Sequence, residues 1–164
     1  MSKESKEWIV GWYSGAMRIE VDQSGRVEET NRPTVVAAAN HAHNLIIVSA
    51  RTKKALLARF IARGKRKVFA VKTFTALMFL ALKPLLGHKP QIIIDLEYPG
   101  HEPLMKDQLL TFARSAGLSL DGSTIHFGAI GKHSAAHHLA ITAFRRRSGA
   151  QRVLLAELTK LLAL

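Results

Sequence analysis

Two aspartates occur where strand-like runs of the sequence end, and their side chains could hold a divalent cation. Asp95 follows the apolar run QIII, and Asp22 ends the run MRIEV before the turn residues Gln-Ser-Gly. Glu97 lies two residues after Asp95, so its carboxylate points to the same side if the strand continues. Phosphodiester cleavage by metal ions needs hard oxygen ligands that converge from several elements. These three residues are therefore candidate ligands, although an acidic residue at a strand end also commonly accepts hydrogen bonds within a turn.

A further group lies in the segment GKHSAAHHLA, where Ser134 can cap a helix whose first turns carry His137 and His138. Adjacent helical positions diverge by about 100°, so one histidine can face the sheet while its neighbour meets solvent. A helical histidine more often lies on the surface or in a packed core than on a metal. Lys132 and His133 come just before the helix and could contact a phosphate at its N-terminus.

The pattern of apolar runs and turn residues predicts the elements that must position these side chains. Residues 8–33 contain short β-type runs broken by turn residues, which is typical of antiparallel strands, and residues 34–50 continue with strand-like runs. From Arg51 the pattern alternates: a helix KKALLARFIAR, a strand VFAVKTF, a helix TALMFLALKPLLG, a strand QIIIDLEY, a helix from Pro103, a strand STIHFGAI, a helix from Ser134 to Arg147 and a last helix VLLAELTKLLAL. This order predicts an α/β fold, a mixed sheet with antiparallel N-terminal strands, then parallel strands, and helices on both faces.

The succession VDQSG, IIIDLEY and TIHFGAIGK running into SAAHHLA resembles a large, poorly characterised prokaryotic family of ribonuclease H-like proteins. That family typically opens with Asp-Glu-Ser-Gly, has an Ile-Asp strand end and closes with a helix bearing Ala-Asp-Leu. The similarity runs from about Arg18 to Arg147 through short motifs. It implies a ribonuclease H-like fold in which Asp22 is the first-strand carboxylate, Asp95 the central-strand carboxylate and His137 the position where the helix normally supplies Asp.

Two residues depart from the family pattern. Gln23 stands where Glu is usual, and His137 replaces the final acidic residue. Some Holliday-junction resolvases of the same fold tolerate a histidine there. The resemblance thus implies a catalytic set of Asp22, Asp95 and His137. Together with Glu97, which its spacing to Asp95 adds, these residues make up the predicted metal site. Oxygen ligands with an added imidazole favour Mg²⁺ or Mn²⁺. The departures fit equally a domain that has kept the fold and lost catalysis.

Lys and Arg outnumber Asp and Glu 24 to 12, which gives a formal net charge of +12. This excess favours a polyanionic partner, DNA or RNA. The basic residues form two clusters, and either cluster taken alone could equally be the solvated face of a helix. The two clusters, which lie in residues 53–67 and 145–152, contain no acidic residue. The predicted nucleic-acid-binding residues are Lys53, Lys54, Arg59, Arg63, Lys65, Arg66, Lys67, Lys132, Arg145, Arg146 and Arg147.

A length of 164 residues with 48% hydrophobic residues suits a single domain, residues 1–164, with one continuous core. No cysteine is present, which excludes disulfides and thiolate sites and is ordinary for a cytoplasmic protein. The opening MSKESKEW lacks the apolar stretch of a signal peptide. Lys72 and Lys83 interrupt the most apolar segment, so we expect it to be buried core rather than a membrane span.

These observations leave three classes of function open. The first, which we expect, is a metal-dependent nuclease or resolvase that acts on nucleic acid in the cytoplasm and on no membrane. The second is a non-catalytic nucleic-acid-binding or assembly module on the same fold. The third, a basic domain that docks on an acidic protein or an anionic membrane, explains the charge but not the placement of Asp22 and Asp95. The C-terminal LLAELTKLLAL has leucines on more than one side, which leaves a homodimer open.

Overall fold

The computed structural model describes residues 17–40 and 42–164, and six strands of this part of the chain form one sheet. The strands are β1 (Arg18–Ser24), β2 (Thr34–Ala39), β3 (His43–Val48), β4 (Gln91–Asp95), β5 (Ile125–Gly128) and β6 (Gln151–Arg152). The strand-like runs predicted in residues 8–16 lie outside the described residues. The antiparallel partner of β1 begins at Thr34, so residues 26–33 form a loop rather than a second strand.

The sheet has the strand order β5-β4-β1-β2-β3-β6. β1, β2 and β3 pair antiparallel, whereas β4 runs parallel to β1, β5 parallel to β4 and β6 parallel to β3. Because β1 and β4 are parallel neighbours, their carboxyl ends meet at the same edge of the sheet. The predicted α/β class, with antiparallel N-terminal strands followed by parallel strands, is confirmed.

Among the described residues, five α-helices accompany the sheet. They are α1 (Ala50–Ala62), α2 (Phe69–Leu82), α3 (Glu102–Ser115), α4 (Ala135–Arg146) and α5 (Leu155–Leu161). Ser49 and Ser134 cap α1 and α4, since each hydroxyl accepts a hydrogen bond from a backbone N–H three residues on. Pro103 lies in the first turn of α3, where a backbone N–H would have no partner within the helix, so proline is tolerated there.

Alternate residues of β2 enter two different cores. Val36 and Ala38 belong to the larger core, together with α1, α2, α3 and α5. Val35 and Ala37 belong to a smaller core, where they pack with Ala140 of α4. Because successive side chains of a strand point to opposite faces, α4 covers one face and the other helices cover the opposite one. The prediction of helices on both faces is confirmed.

The prediction of a strand at VFAVKTF is wrong. These residues pass through a short 3-10 turn (Arg66–Val68) into α2, which also includes residues 75–82 of the segment predicted as a separate helix. α2 packs against β2, β3 and α3 and is buried on nearly every side, so its sequence lacks a one-sided apolar pattern. Its β-branched and aromatic residues then resemble a strand. The helix ends at Leu82, before Pro84, and a 3-10 turn (Lys83–His88) follows it.

One helical stretch of the described residues, 66–87, is long and apolar enough to cross a membrane by length and composition. Inside the protein, 67% of its most apolar window is buried. The stretch consists of α2 with its flanking 3-10 turns, and it supplies core side chains such as Phe74, Leu77 and Phe79. This segment is therefore largely buried in the core, as expected from the sequence.

Candidate metal-binding and nucleic-acid-binding site

Asp22 and Asp95 lie beside each other at the carboxyl ends of β1 and β4. Val21 pairs with Ile94 in the parallel register, and the next residue of each strand is one of the two aspartates. Val21 and Ile94 are fully buried in the larger core. Because side chains alternate along a strand, both aspartates point to the other face, where α4 lies. The strand ends that singled out these residues in the sequence thus bring them together.

Glu97 completes a group of three carboxylates. β4 ends at Asp95, and in the tight turn that follows, the backbone N–H of Glu97 donates to the Asp95 carbonyl oxygen (2.9 Å). One carboxylate oxygen from each of Asp22, Asp95 and Glu97 lies within 4.8 Å of the other two. Oxygens bound to one Mg²⁺ at about 2.1 Å lie at most about 4.2 Å apart, so the three side chains would have to move closer together to share one ion.

The electrostatics of this carboxylate group favour a cation. Burial raises the pKa of Glu97 to about 7; a hydrogen bond with Gln23 opposes this shift, and contacts with Asp95 and Asp22 add to it. Burial also raises the pKa of Asp22, against the hydrogen bond with His137. No Lys or Arg of the described residues forms an ion pair with the three carboxylates. A divalent cation would supply the positive charge that the group lacks.

His137 contacts the carboxylate group from α4. Its backbone N–H donates to the hydroxyl of Ser134 (3.0 Å), which fixes the first turn of the helix. Its Nδ1 lies 2.9 Å from Oδ2 of Asp22, so the two side chains share a hydrogen bond. His138 is exposed, so of the two adjacent histidines His137 is the one that faces the sheet. The mutually close ligand atoms are those of the three carboxylates, and a metal-ligand role for His137 stays a prediction.

Sequence reasoning missed the part of Tyr98 in this site. The Nε2 of Gln23 donates to the Tyr98 hydroxyl (3.4 Å), which in turn donates to Oε2 of Glu28 (2.9 Å). Tyr98 also packs against Phe74, with 5.4 Å between ring centroids, so it connects the turn after β4 to the larger core. The only sequence signal for this role is the position of Tyr98 directly after Glu97. An aromatic residue at such a position is equally typical of core packing.

The loop before α4 contacts the second aspartate. Oδ1 of Asp95 accepts a hydrogen bond from the backbone N–H of Ile130 (3.2 Å), which holds this loop at the edge of the sheet where the carboxylates lie. Lys132 and His133 follow in the same loop and are exposed. A phosphate contact for these two residues stays a prediction, and their place in this loop is compatible with it.

One residue of the predicted nucleic-acid-binding set is not on the surface. Lys53 is fully buried, and its Nζ donates to the carbonyl oxygens of Arg26 (3.0 Å) and Glu29 (2.7 Å) and to the hydroxyl of Thr34 (3.0 Å). The prediction that Lys53 contacts phosphate is therefore wrong, because all three ammonium hydrogens have partners inside the protein. The remaining predicted residues are exposed, namely Lys54, Arg59, Arg63, Lys65, Arg66, Lys67, Lys132, Arg145, Arg146 and Arg147.

The two basic clusters belong to opposite faces of the sheet. The first lies on and after α1, whose buried residues Leu56 and Phe60 belong to the larger core. The second ends α4, whose buried residues Ala140 and Ala143 belong to the smaller core. Of the two clusters, the second therefore shares its helix and its face with His137.

Comparisons of this chain with family models, with curated proteins and with solved structures find no match. The geometry and charge of the site are therefore the features that point to a function.

Proposed function

We propose that this chain is a divalent-metal-dependent nuclease or resolvase that cleaves phosphodiester bonds in nucleic acid. The observation that carries the proposal is the group of Asp22, Asp95 and Glu97, whose ligand oxygens lie within 4.8 Å of one another at the carboxyl ends of two parallel strands. Open α/β sheets bind their ligands at this end of the strands. In a chain of net charge +12, a compact acidic group that has no Lys or Arg ion-pair partner among the described residues indicates a cation that meets a polyanion.

A ribonuclease H-like fold is part of the proposal. Antiparallel strands β1 to β3, then parallel β4 and β5, with helices on both faces, agree with the fold that the resemblance of the sequence motifs implies. The two aspartates on neighbouring strands agree with the first-strand and central-strand carboxylates of that family.

The residues of the site divide into ligands and the groups that hold them. Asp22, Asp95 and Glu97 would bind Mg²⁺ or Mn²⁺, because these ions prefer hard oxygen donors. A bound cation would stabilise the negative charge that develops on the phosphoryl oxygens during cleavage. His137 keeps the Asp22 carboxylate in place through its 2.9 Å contact, and the N–H of Ile130 does the same for Asp95.

The second candidate is a non-catalytic nucleic-acid-binding or assembly module on the same fold. The raised pKa of Glu97, about 7, favours it, since a protonated Glu97 lets the carboxylate group persist near neutral pH without a cation. Gln23 and His137, which stand where the resembling family has acidic residues, point the same way.

Asp95→Asn and a matched control test cation binding and cleavage. Asp95→Asn removes a charged ligand with little change in size, and Asp107→Asn makes the same substitution at an exposed position of α3. We expect Mg²⁺ or Mn²⁺ to raise the Tm of the parent and of Asp107→Asn, but not that of Asp95→Asn. Cleavage of single-stranded, duplex, hybrid or junction substrates should fall by at least about 100-fold in Asp95→Asn alone.

The same measurements decide between the two candidates. A parent protein that binds nucleic acid but shows neither a metal-dependent rise in Tm nor cleavage of any of these substrates would support the binding module and overturn the nuclease.

A further inference from the structure

Three consecutive arginines end α4, on the face of the sheet that carries the carboxylate group. Arg145, Arg146 and Arg147, called here the arginine end of α4, are all exposed. No carboxylate of the described residues forms an ion pair with them. A single cation complements the dipole at a helix C-terminus. Three guanidinium groups without acidic partners form, in addition, a surface that fits phosphates.

Arg147 has a backbone conformation that arginine rarely adopts. It is the C-cap of α4, with φ 55° and ψ 31° in the left-handed region, which glycine enters without strain. Its guanidinium lies 4.6 Å from the centroid of the Phe144 ring, and the guanidinium of Arg32 lies 5.5 Å from the same centroid. Residues held in such conformations cluster at functional sites. Since the backbone would accept glycine more easily, the side chain of Arg147 is the feature that needs an explanation.

α4 joins the arginine end to the carboxylate group as one rigid element. His137 contacts Asp22 at the start of the helix, and Arg145 lies about 12 Å further along at 1.5 Å per residue. Phe144 lies against Gly25, the residue that follows β1, so the helix leads toward the edge of the sheet where β1 ends. A nucleic acid strand with one phosphate at the carboxylates would reach the arginine end within a few nucleotides. The basic cluster of α1 lies across the sheet from this path.

We propose that the arginine end of α4 binds the phosphodiester backbone of the nucleic acid strand whose scissile phosphate lies at Asp22 and Asp95. This inference rests on the proposed function and adds the direction in which the substrate strand leaves the site. Stacking of Arg147 on Phe144 restrains the guanidinium and leaves its N–H edge free to donate to phosphate oxygens. Contacts of this kind fix the register of the strand and carry no sequence preference.

Arg147→Gly and Lys89→Gly form a matched pair of variants. Lys89 is also exposed and left-handed, with φ 49°, but it precedes β4 and so lies at the end of that strand opposite to Asp95. Each substitution removes one positive charge and relieves the same backbone strain, and Arg147→Gly also removes the contact with Phe144. Because the relief of strain offsets the loss of this exposed contact, we expect neither variant to have a lower Tm. Binding of fluorescent DNA and RNA oligonucleotides is measured by anisotropy without divalent cations, between roughly 50 and 200 mM salt.

We expect Arg147→Gly to weaken binding roughly tenfold and to reduce the log-log salt slope by about 0.9 on duplex DNA. Lys89→Gly should leave both quantities unchanged. The nucleic acid whose affinity depends more strongly on Arg147 identifies the backbone that the arginine end accepts. Arg147→Asn, whose side chain tolerates the left-handed region, serves in place of Arg147→Gly should that variant fail to fold.

Cleavage with Mg²⁺ or Mn²⁺ separates this inference from the proposed function. If the parent cleaves and both variants bind and cleave equally well, the arginine end is not a substrate contact, and the nuclease proposal stands. If no protein cleaves but Arg147→Gly still binds more weakly than Lys89→Gly, the arginine end is a nucleic acid contact and the nuclease proposal fails. A parent that binds neither DNA nor RNA overturns both.

Discussion

Gly25 forms the turn after β1, next to the residues that carry the site. Its φ is 75°, and a Cβ at this position would lie 2.3 Å from the carbonyl oxygen of Pro33 and 2.5 Å from the Phe144 ring. We expect Gly25→Ala to lower the free energy of unfolding by about 3 kcal/mol, because left-handed strain and overpacking add together. Urea unfolding followed by circular dichroism measures the change.

Gly64→Ala is the matched control for this substitution. Gly64 has φ 67°, and apart from its own chain neighbours no described residue has an atom within 4 Å of an added Cβ. Its replacement therefore reports the left-handed conformation alone, about 1 kcal/mol. Equal losses for the two variants would contradict the role of Pro33 and Phe144 at the turn.

Single site residues could be predicted from the sequence where a local pattern fixes their place. Asp22 and Asp95 each follow a strand-like run, and the end of a parallel strand has a definite position at the edge of a sheet. The contact of His137 with Asp22 could not be predicted from its spacing. It depends on the rotation of α4 about its axis, which the packing of Ala140 and Ala143 on the sheet determines.

At the scale of the elements, Lys53 links α1 to the loop between β1 and β2. Burial lowers the pKa of its ammonium group to about 8, and the carbonyl oxygens of Arg26 and Glu29 and the hydroxyl of Thr34 compensate that burial. Lys53→Met keeps the length of the side chain but leaves these acceptors without their donor. We expect it to lower the free energy of unfolding by about 2–4 kcal/mol.

Lys54→Met makes the same change at the exposed neighbouring position, where we expect an effect within about 0.5 kcal/mol. Urea unfolding of both variants gives the comparison. A loss for Lys53→Met no larger than that of Lys54→Met would show that the loop does not depend on these hydrogen bonds.

Elements bounded by turn residues could be predicted, and α2 could not. The segments of β4 and α4 are delimited by proline, glycine or a capping serine, and their predicted bounds differ from the observed ones by a few residues. Between Lys67 and Thr75 no Gly, Pro, Asn or Asp separates a strand from a helix. The local pattern favours a strand there, whereas packing against β2, β3 and α3 stabilises the helix. The burial of Lys53 could not be predicted either, because it depends on a loop that precedes Lys53 in the chain.

At the scale of the whole molecule, a chain of net charge +12 encloses three carboxylates that have no Lys or Arg partner among the described residues. Burial raises the pKa of Glu97 from 4.5 to about 7, so between these pH values the folded protein binds a proton that the unfolded chain has released. The stability that this proton contributes is complete below a pH of about 4.5 and is lost as the pH rises through about 7.

Glu97→Gln tests this linkage, because glutamine is a neutral mimic of the protonated acid. Without divalent cations we expect the parent and the variant to be about equally stable near pH 4, and the parent to be less stable, by at most about 3 kcal/mol, near pH 8. Mg²⁺ should reverse this order near pH 8, because the cation stabilises the ionised Glu97 of the parent and finds one ligand fewer in the variant. Thermal unfolding at both pH values measures the difference, in which the titration of groups distant from Glu97 cancels. A difference that changes with neither pH nor Mg²⁺ would show that Glu97 neither holds the extra proton nor binds the cation.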